Sequence, residues 1–164
     1  MGLFSFIKEA GEKLFGKGEA HAAQAAAAAD PSEDNVKRAN DAAAEAIQNY
    51  ISTLGLSATG LTVTFAAGEV SVFGVAPDQE TKEKIILAAG NVEGVEKVND
   101  MMSVDQSQPE ARFYTVVKGD TLWKIAAEHY GNGSKYQAIF EANRPMLSHP
   151  DKIYPGQMLR IPPL

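Results

Sequence analysis

The side chains that most often carry chemistry are few in this chain and are not grouped in ways that could use them. There is no cysteine, which removes disulfides, thiolate metal sites and cysteine nucleophiles. Of the three histidines, His21 falls in a linker, His129 on a helix and His149 in a loop. None of them begins a two-histidine helical metal motif, and no Gly-x-Ser-x-Gly elbow occurs. Asp30, Ser32 and Asp34 imitate the start of a calcium loop, but Asn35 replaces the required glycine and Asp41 the bidentate glutamate. Gly131-Asn132-Gly133, followed by Ser134-Lys135-Tyr136, fits neither common phosphate-binding loop. The residues predict a binding protein and no enzyme.

The 164 residues suffice for one ordinary domain or two small ones, and 45% apolar content excludes a wholly disordered chain. Charge is divided unevenly. Residues 1–111 hold 8 Lys and Arg against 17 Asp and Glu, whereas residues 112–164 hold 7 against 4. An acidic first part argues against nucleic-acid binding and mildly favours cations near its surface; it also reads, more plainly, as a solvated face. Met1 to Glu9 lacks a basic leading segment, and Lys8 and Glu9 interrupt the apolar run. Phe6 stands where myristoylation needs Ser or Thr. No stretch approaches the roughly 18 apolar residues of a membrane span. A cytoplasmic protein is expected.

The spacing of apolar residues sets the elements. Leu3, Phe4, Ile7, Ala10, Leu14 and Phe15 recur at helical intervals, predicting an N-terminal amphipathic helix over residues 1–15 that docks on the protein's own core. Its polar face mixes acids and bases, which disfavours a membrane surface. Residues 16–35, rich in alanine and without a large apolar side chain, read as a linker. Val36, Ala39, Ala43, Ile47, Tyr50, Ile51 and Leu54 form a helical stripe stopped by Gly55. Leu61, Val63 and Phe65, then Val70 and Val72, alternate as two strands turning at Gly68. Pro77 and Asp78 open a second helix closed by Gly90, and Val95, Val98, Met102 and Val104 mark a last strand. Residues 105–111 are polar and read as a domain linker. Residues 112–164 follow as strand, helix, helix, strand. The fold class is α+β, in two small domains: αββαβ over 36–104 and βααβ over 112–164.

The second of these carries a specific motif. Tyr114-Thr115-Val116, Lys118-Gly119-Asp120-Thr121-Leu122-Trp123, Ile125-Ala126, Tyr130-Gly131, Ile139 to Asn143 and Ile153-Tyr154-Pro155-Gly156-Gln157 together resemble the LysM domain from end to end. Asp120 or Thr121 can cap the helix that follows, and Pro155-Gly156 turns the chain into the closing strand. The resemblance implies a shallow groove for N-acetylglucosamine polymers. Here it would be built from Gly119, Asp120, Thr121 and Leu122 on one turn and Ile153, Tyr154, Pro155 and Gly156 on the other. The same residues can equally serve the fold alone. Gly74, the helix after it, and Gly90-Asn91-Val92-Glu93-Gly94-Val95 resemble the BON domain.

The opening Met-Gly-Leu-Phe-Ser-Phe-Ile-Lys-Glu-Ala-Gly, the BON segment, and a LysM segment containing Phe140-Glu141-Ala142-Asn143-Arg144-Pro145 closely resemble the bacterial cytoplasmic potassium-binding protein (Kbp) family. That resemblance implies a monomer that binds K⁺, with Rb⁺ or Cs⁺ as substitutes, while BON and LysM close together. The ligands it implies are the main-chain carbonyls of Ile7, Lys8, Ala10, Gly90, Val92 and Val95. Residues 16–35 are longer and richer in alanine than the family leads one to expect. Helix ends leave up to four carbonyls without partners at the negative end of a dipole, so Gly11 and Gly90, as helix terminators, would offer suitable oxygens. By residue type alone they are ordinary C-caps; the resemblance is what favours an ion. A peptidoglycan-binding LysM module is the alternative function.

Overall fold

The computed structural model describes residues 2–16 and 18–164. The predicted order holds from residue 33 onward. Helix α2 (Glu33–Thr53) begins at Ser32, whose hydroxyl accepts from the Asn35 N–H, and ends in two reversed hydrogen bonds, Gly55 N–H to Ser52 O and Leu56 N–H to Ile51 O. That closure needs a left-handed residue, and Gly55 supplies it at φ 78°. Strands β2 (Thr59–Ala66) and β3 (Glu69–Asp78) form a hairpin whose two turn residues, Ala67 and Gly68, both have positive φ, as a two-residue turn matched to strand twist requires. Helix α3 (Gln79–Gly90) starts with Asp78 accepting from the Thr81 N–H. It crosses over to β4 (Lys97–Gln106), which lies parallel to β3. Val63, Val70, Val72, Val98 and Met102 face Ile47, Ile51, Ile85 and Ile86 of the helices, all buried.

The N-terminal helix expected over 1–15 is absent from the described residues 2–15, Met1 lying outside them. Residues Gly2–Ser5 form strand β1, antiparallel to β4, which gives a four-stranded sheet in the order β1-β4-β3-β2. The open edge of β4 offers a row of unpaired N–H and C=O groups, and the N-terminus satisfies them. The controlling pattern is the period-2 one: Phe4 packs on the core and Phe6 is buried, while Leu3 and Ile7 of the supposed helical stripe are exposed. The chain then turns, and a short 3₁₀ segment (Leu14–Gly16) buries Phe15 edge-on against Phe65.

Residues 16–35 are likewise more than a linker. They contain helix α1 (Gly18–Ala29), which buries Ala20 and packs Ala23 against the core. Alanine side chains are short enough to let α1 approach α2 closely, so small residues anchor it where large ones were sought.

In the second module β5 (Arg112–Thr115) pairs antiparallel with β6 (Met158–Ile161), and α4 (Leu122–Tyr130) and α5 (Tyr136–Ala142) lie between them in sequence. Thr121 caps α4 by accepting from the Lys124 N–H, while Asp120 instead accepts from the Val117 N–H and the Tyr114 hydroxyl. The core is small: Val116, Leu122, Ile125, Ala126, Ile139, Leu147, Leu159 and Ile161. Among the described residues no helix is long and apolar enough to cross a membrane.

Candidate functional site: two interlocked main-chain loops and the module junction

Two stretches distant in sequence run against each other through their backbones. Phe6 N–H donates to Glu96 O at 2.8 Å, Gly94 N–H to Lys8 O at 2.7 Å, Glu12 N–H to Asn91 O at 2.9 Å, and Glu93 N–H to Glu12 O at 2.9 Å. Glycine makes this approach possible. A Cβ at Gly11 (φ 120°) would fall 2.5 Å from the carbonyl carbon of Asn91, and one at Gly90 would collide with the Phe6 ring. The expected reason for these glycines is thereby corrected. Residues 7–10 form no helix end but a tight turn closed by Ala10 N–H to Ile7 O at 3.1 Å. Helix α3 does end at Gly90, yet its cap is Asn91, and Gly90 serves to admit an aromatic ring.

The six carbonyls inferred from family resemblance all lie on these two stretches. Ile7 O accepts from Ala10, Lys8 O from Gly94, and Val92 O from Val95 at 3.0 Å. Each keeps a second lone pair. For Ala10, Gly90 and Val95, no donor to the carbonyl is found among the described residues. Gly90 O also lies at the C-terminal, negative end of the α3 dipole. Among the described residues no group of three His, Asp or Glu side chains is placed to hold a metal. The six carbonyls are neutral oxygens.

The second module rests on this region. Arg160 Nε is 2.9 Å from Glu83 Oε1, an ion pair with both side chains under 10% exposed. Glu83 Oε2 accepts from Gln79 and from the Ala111 N–H, which pins the end of the 105–111 linker. The Phe4 and Phe113 rings meet edge to face at 5.2 Å. Asn91 donates through Nδ2 to Met158 O at 2.8 Å and accepts the Met158 N–H through Oδ1 at 2.9 Å. Tyr50 and Tyr154 line a pocket here with Glu12, Asn91 and Lys152. Burial, then the Glu12 carboxylate, pushes the Tyr50 phenol up to about 12, and Tyr154 is raised by the same causes.

The residues of the expected sugar groove divide. On the first turn Gly119 and Thr121 are exposed; Thr121 and the buried Leu122 border an open cleft of about 470 Å³ together with Trp123, Tyr136 and His149, and Gly119 is not part of its lining. On the second turn Ile153 packs on the core and Pro155 is exposed. Tyr154 faces the junction, and a Cβ at Gly156 would lie 2.7 Å from Ala10 Cβ and 3.2 Å from Ile7 Cβ. Residue types did not single out Glu83, Asn91 or Arg160. The one signal available was Arg160, a charge inside the apolar run Met158-Leu159-Arg160-Ile161, since buried arginine is rare unless paired.

Comparison with known proteins finds a BON and a LysM domain in the expected order. The BON domain family model matches residues 39–106 and the LysM domain model residues 114–162. The potassium binding protein Kbp of Escherichia coli is 40% identical over 163 residues, covering 99% of both chains. Shorter matches are the uncharacterized protein YqbP of Bacillus subtilis, 37% identical over 65 residues (34% of this chain, 30% of that one), and an uncharacterized protein of Deinococcus radiodurans, 51% identical over 49 residues (30% and 19%). Sustained from end to end, the first of these likenesses is one of family: the chain belongs to the Kbp family.

Proposed function

We propose that this protein is a cytoplasmic monomer that binds K⁺ through the main-chain carbonyls of Ile7, Lys8, Ala10, Gly90, Val92 and Val95. The bound ion favours the arrangement in which LysM is docked on BON. The observation that carries the reading is the interlocked pair of loops, which holds three carbonyls with no donor among the described residues beside three that have a lone pair to spare. The name of the Escherichia coli relative, potassium binding protein, supports it. So does the chemistry. Neutral carbonyl oxygens replace the shell of a weakly hydrated monovalent cation, whereas Mg²⁺ holds its waters and seeks carboxylates. Rb⁺ and Cs⁺ fit the same oxygens. An ion that binds only the docked state shifts the population toward it by its differential affinity. Titration calorimetry in an alkali-free buffer tests this: heat is expected with K⁺ and Rb⁺ and none with Mg²⁺. Small-angle scattering should show contraction in K⁺ but not in equimolar Na⁺. Absence of K⁺ heat overturns the site, and identical scattering in the two salts overturns the compaction.

The LysM match over 114–162 favours a second reading, binding of peptidoglycan. The packing of Ile7 and Ala10 against Gly156 counts against it while the modules are docked. Pull-down on purified cell wall, with and without K⁺, decides between the two.

A further inference from the structure

Asn91 stands between two of the proposed ligands, Gly90 and Val92, and its side chain is bound to the other module. Strand β6 pairs with β5 on one side only, so the outward N–H and C=O groups of Met158 and Arg160 need partners from elsewhere. Two amide side chains provide them. Asn143, at the end of α5, donates to Arg160 O at 2.9 Å and accepts Arg160 N–H at 2.7 Å. Asn91 does the same for Met158, two residues earlier. Together they stand where a third strand would be, one supplied by LysM itself and one by BON.

The main chain of Asn91 is held as firmly as its side chain. Its N–H donates to Leu87 O at 2.9 Å and its carbonyl accepts Glu12 N–H, which joins the two carbonyl-bearing loops. A shift of the backbone between residues 90 and 92 therefore moves the hydrogen-bonding partner of β6. The other junction contacts are placed differently. Glu83 lies within the rigid α3, Phe4 lies on β1, and the approach of Gly156 to Ile7 and Ala10 is apolar and not directional. Resting on the K⁺ site proposed above, we propose that Asn91 is the positioning residue through which occupancy of the carbonyl site is transmitted to LysM. Its side chain does not touch the ion; it acts through Met158.

Amide hydrogen exchange at Met158, measured in K⁺ and in Na⁺ and paired with K⁺ calorimetry, tests this. In the native protein K⁺ slows exchange at Met158. In Asn91→Ala the exchange is fast and equal in the two salts, while K⁺ heat persists with affinity lowered about fivefold or more, the usual size of a coupling between sites. Asn91→Asp keeps the acceptor for Met158 N–H but loses the donor, so it restores part of the K⁺ dependence and serves if the alanine variant does not fold. Phe113→Leu loosens the junction at Phe4 without touching Asn91; exchange rises in both salts and the K⁺ dependence remains. A native protein that gives no K⁺ heat sinks the carbonyl site and this role together. Native K⁺ heat with a K⁺-dependent Met158 amide in Asn91→Ala sinks the role of Asn91 alone.

Discussion

The junction between the modules and the outer turns of LysM both depend on glycine, for opposite reasons. At Gly119 (φ 92°) and Gly131 (φ 71°) an added Cβ would meet nothing within 4 Å, so glycine is there for its backbone angle. At Gly90 φ is ordinary and the obstacle is the Phe6 ring; at Gly11 the obstacle is the Asn91 backbone as well as the angle. The difference extends to charge. The Glu83–Arg160 pair at the junction is buried, whereas Arg144–Glu141 in LysM is exposed and of little energetic weight. One region is specified by what touches it and the other by the shape of the chain. Substitutions at the junction should therefore cost more and reach further.

The largest effect is expected from Arg160→Ala. Among the described residues it leaves the buried Glu83 only Gln79 and the Ala111 N–H as donors, and breaking one side of a buried pair costs about 3–5 kcal/mol. Arg160 also donates to Ala142 O, so LysM itself is weakened. Denaturant unfolding measures the loss. Arg160→Met, which restores most of the volume, should recover little of it; full recovery would mean that packing and not charge holds the junction.

Gly90→Ala comes next. The new methyl forces Phe6 off its seat, and overpacking of this kind costs about 1–3 kcal/mol. The distinctive consequence is functional. Moving Phe6 pulls on Glu96 and on the turn at Ile7 to Ala10, so calorimetric K⁺ binding should be lost while the fold survives. Unchanged K⁺ affinity in a folded Gly90→Ala would separate Phe6 from the site.

What the sequence conveyed follows the same line as the energetics. Local devices were legible: the stripe of α2 ending at Gly55, the hairpin at Gly68, Asp78 and Thr121 at the starts of their helices. Long-range choices were not. Leu3, Phe4, Ile7 and Ala10 satisfy a helical period, and only the free edge of β4, which no local window contains, decides for a strand over Gly2–Ser5. Alanine is compatible with both linker and helix, so α1 depends on the presence of α2. Of the site, residue types pointed to glycines 11 and 90 as helix ends, which holds for Gly90 at the end of α3 and fails for Gly11. The partners that fix the junction, Asn91 with Met158 and Glu83 with Arg160, lie 67 and 77 positions apart, and no spacing rule reaches that far.

Gly131→Ala should have the smallest effect and gives the sharpest contrast. Gly131 follows Tyr130 with φ 71° and ψ 11°, and its N–H closes α4 onto Ala127 O at 3.0 Å. The hydrogen bond survives substitution and space is open around the site, so the cost is the left-handed angle alone, about 1 kcal/mol. Asparagine, which tolerates that region better, should cost less than alanine. Neither variant reaches the junction, so K⁺ heat and the K⁺ response of Met158 should match those of the native protein. The opposite signature, a K⁺ defect at Gly131 comparable to that at Gly90, would show that the ion site senses the stability of LysM as a whole and not contact at the loops.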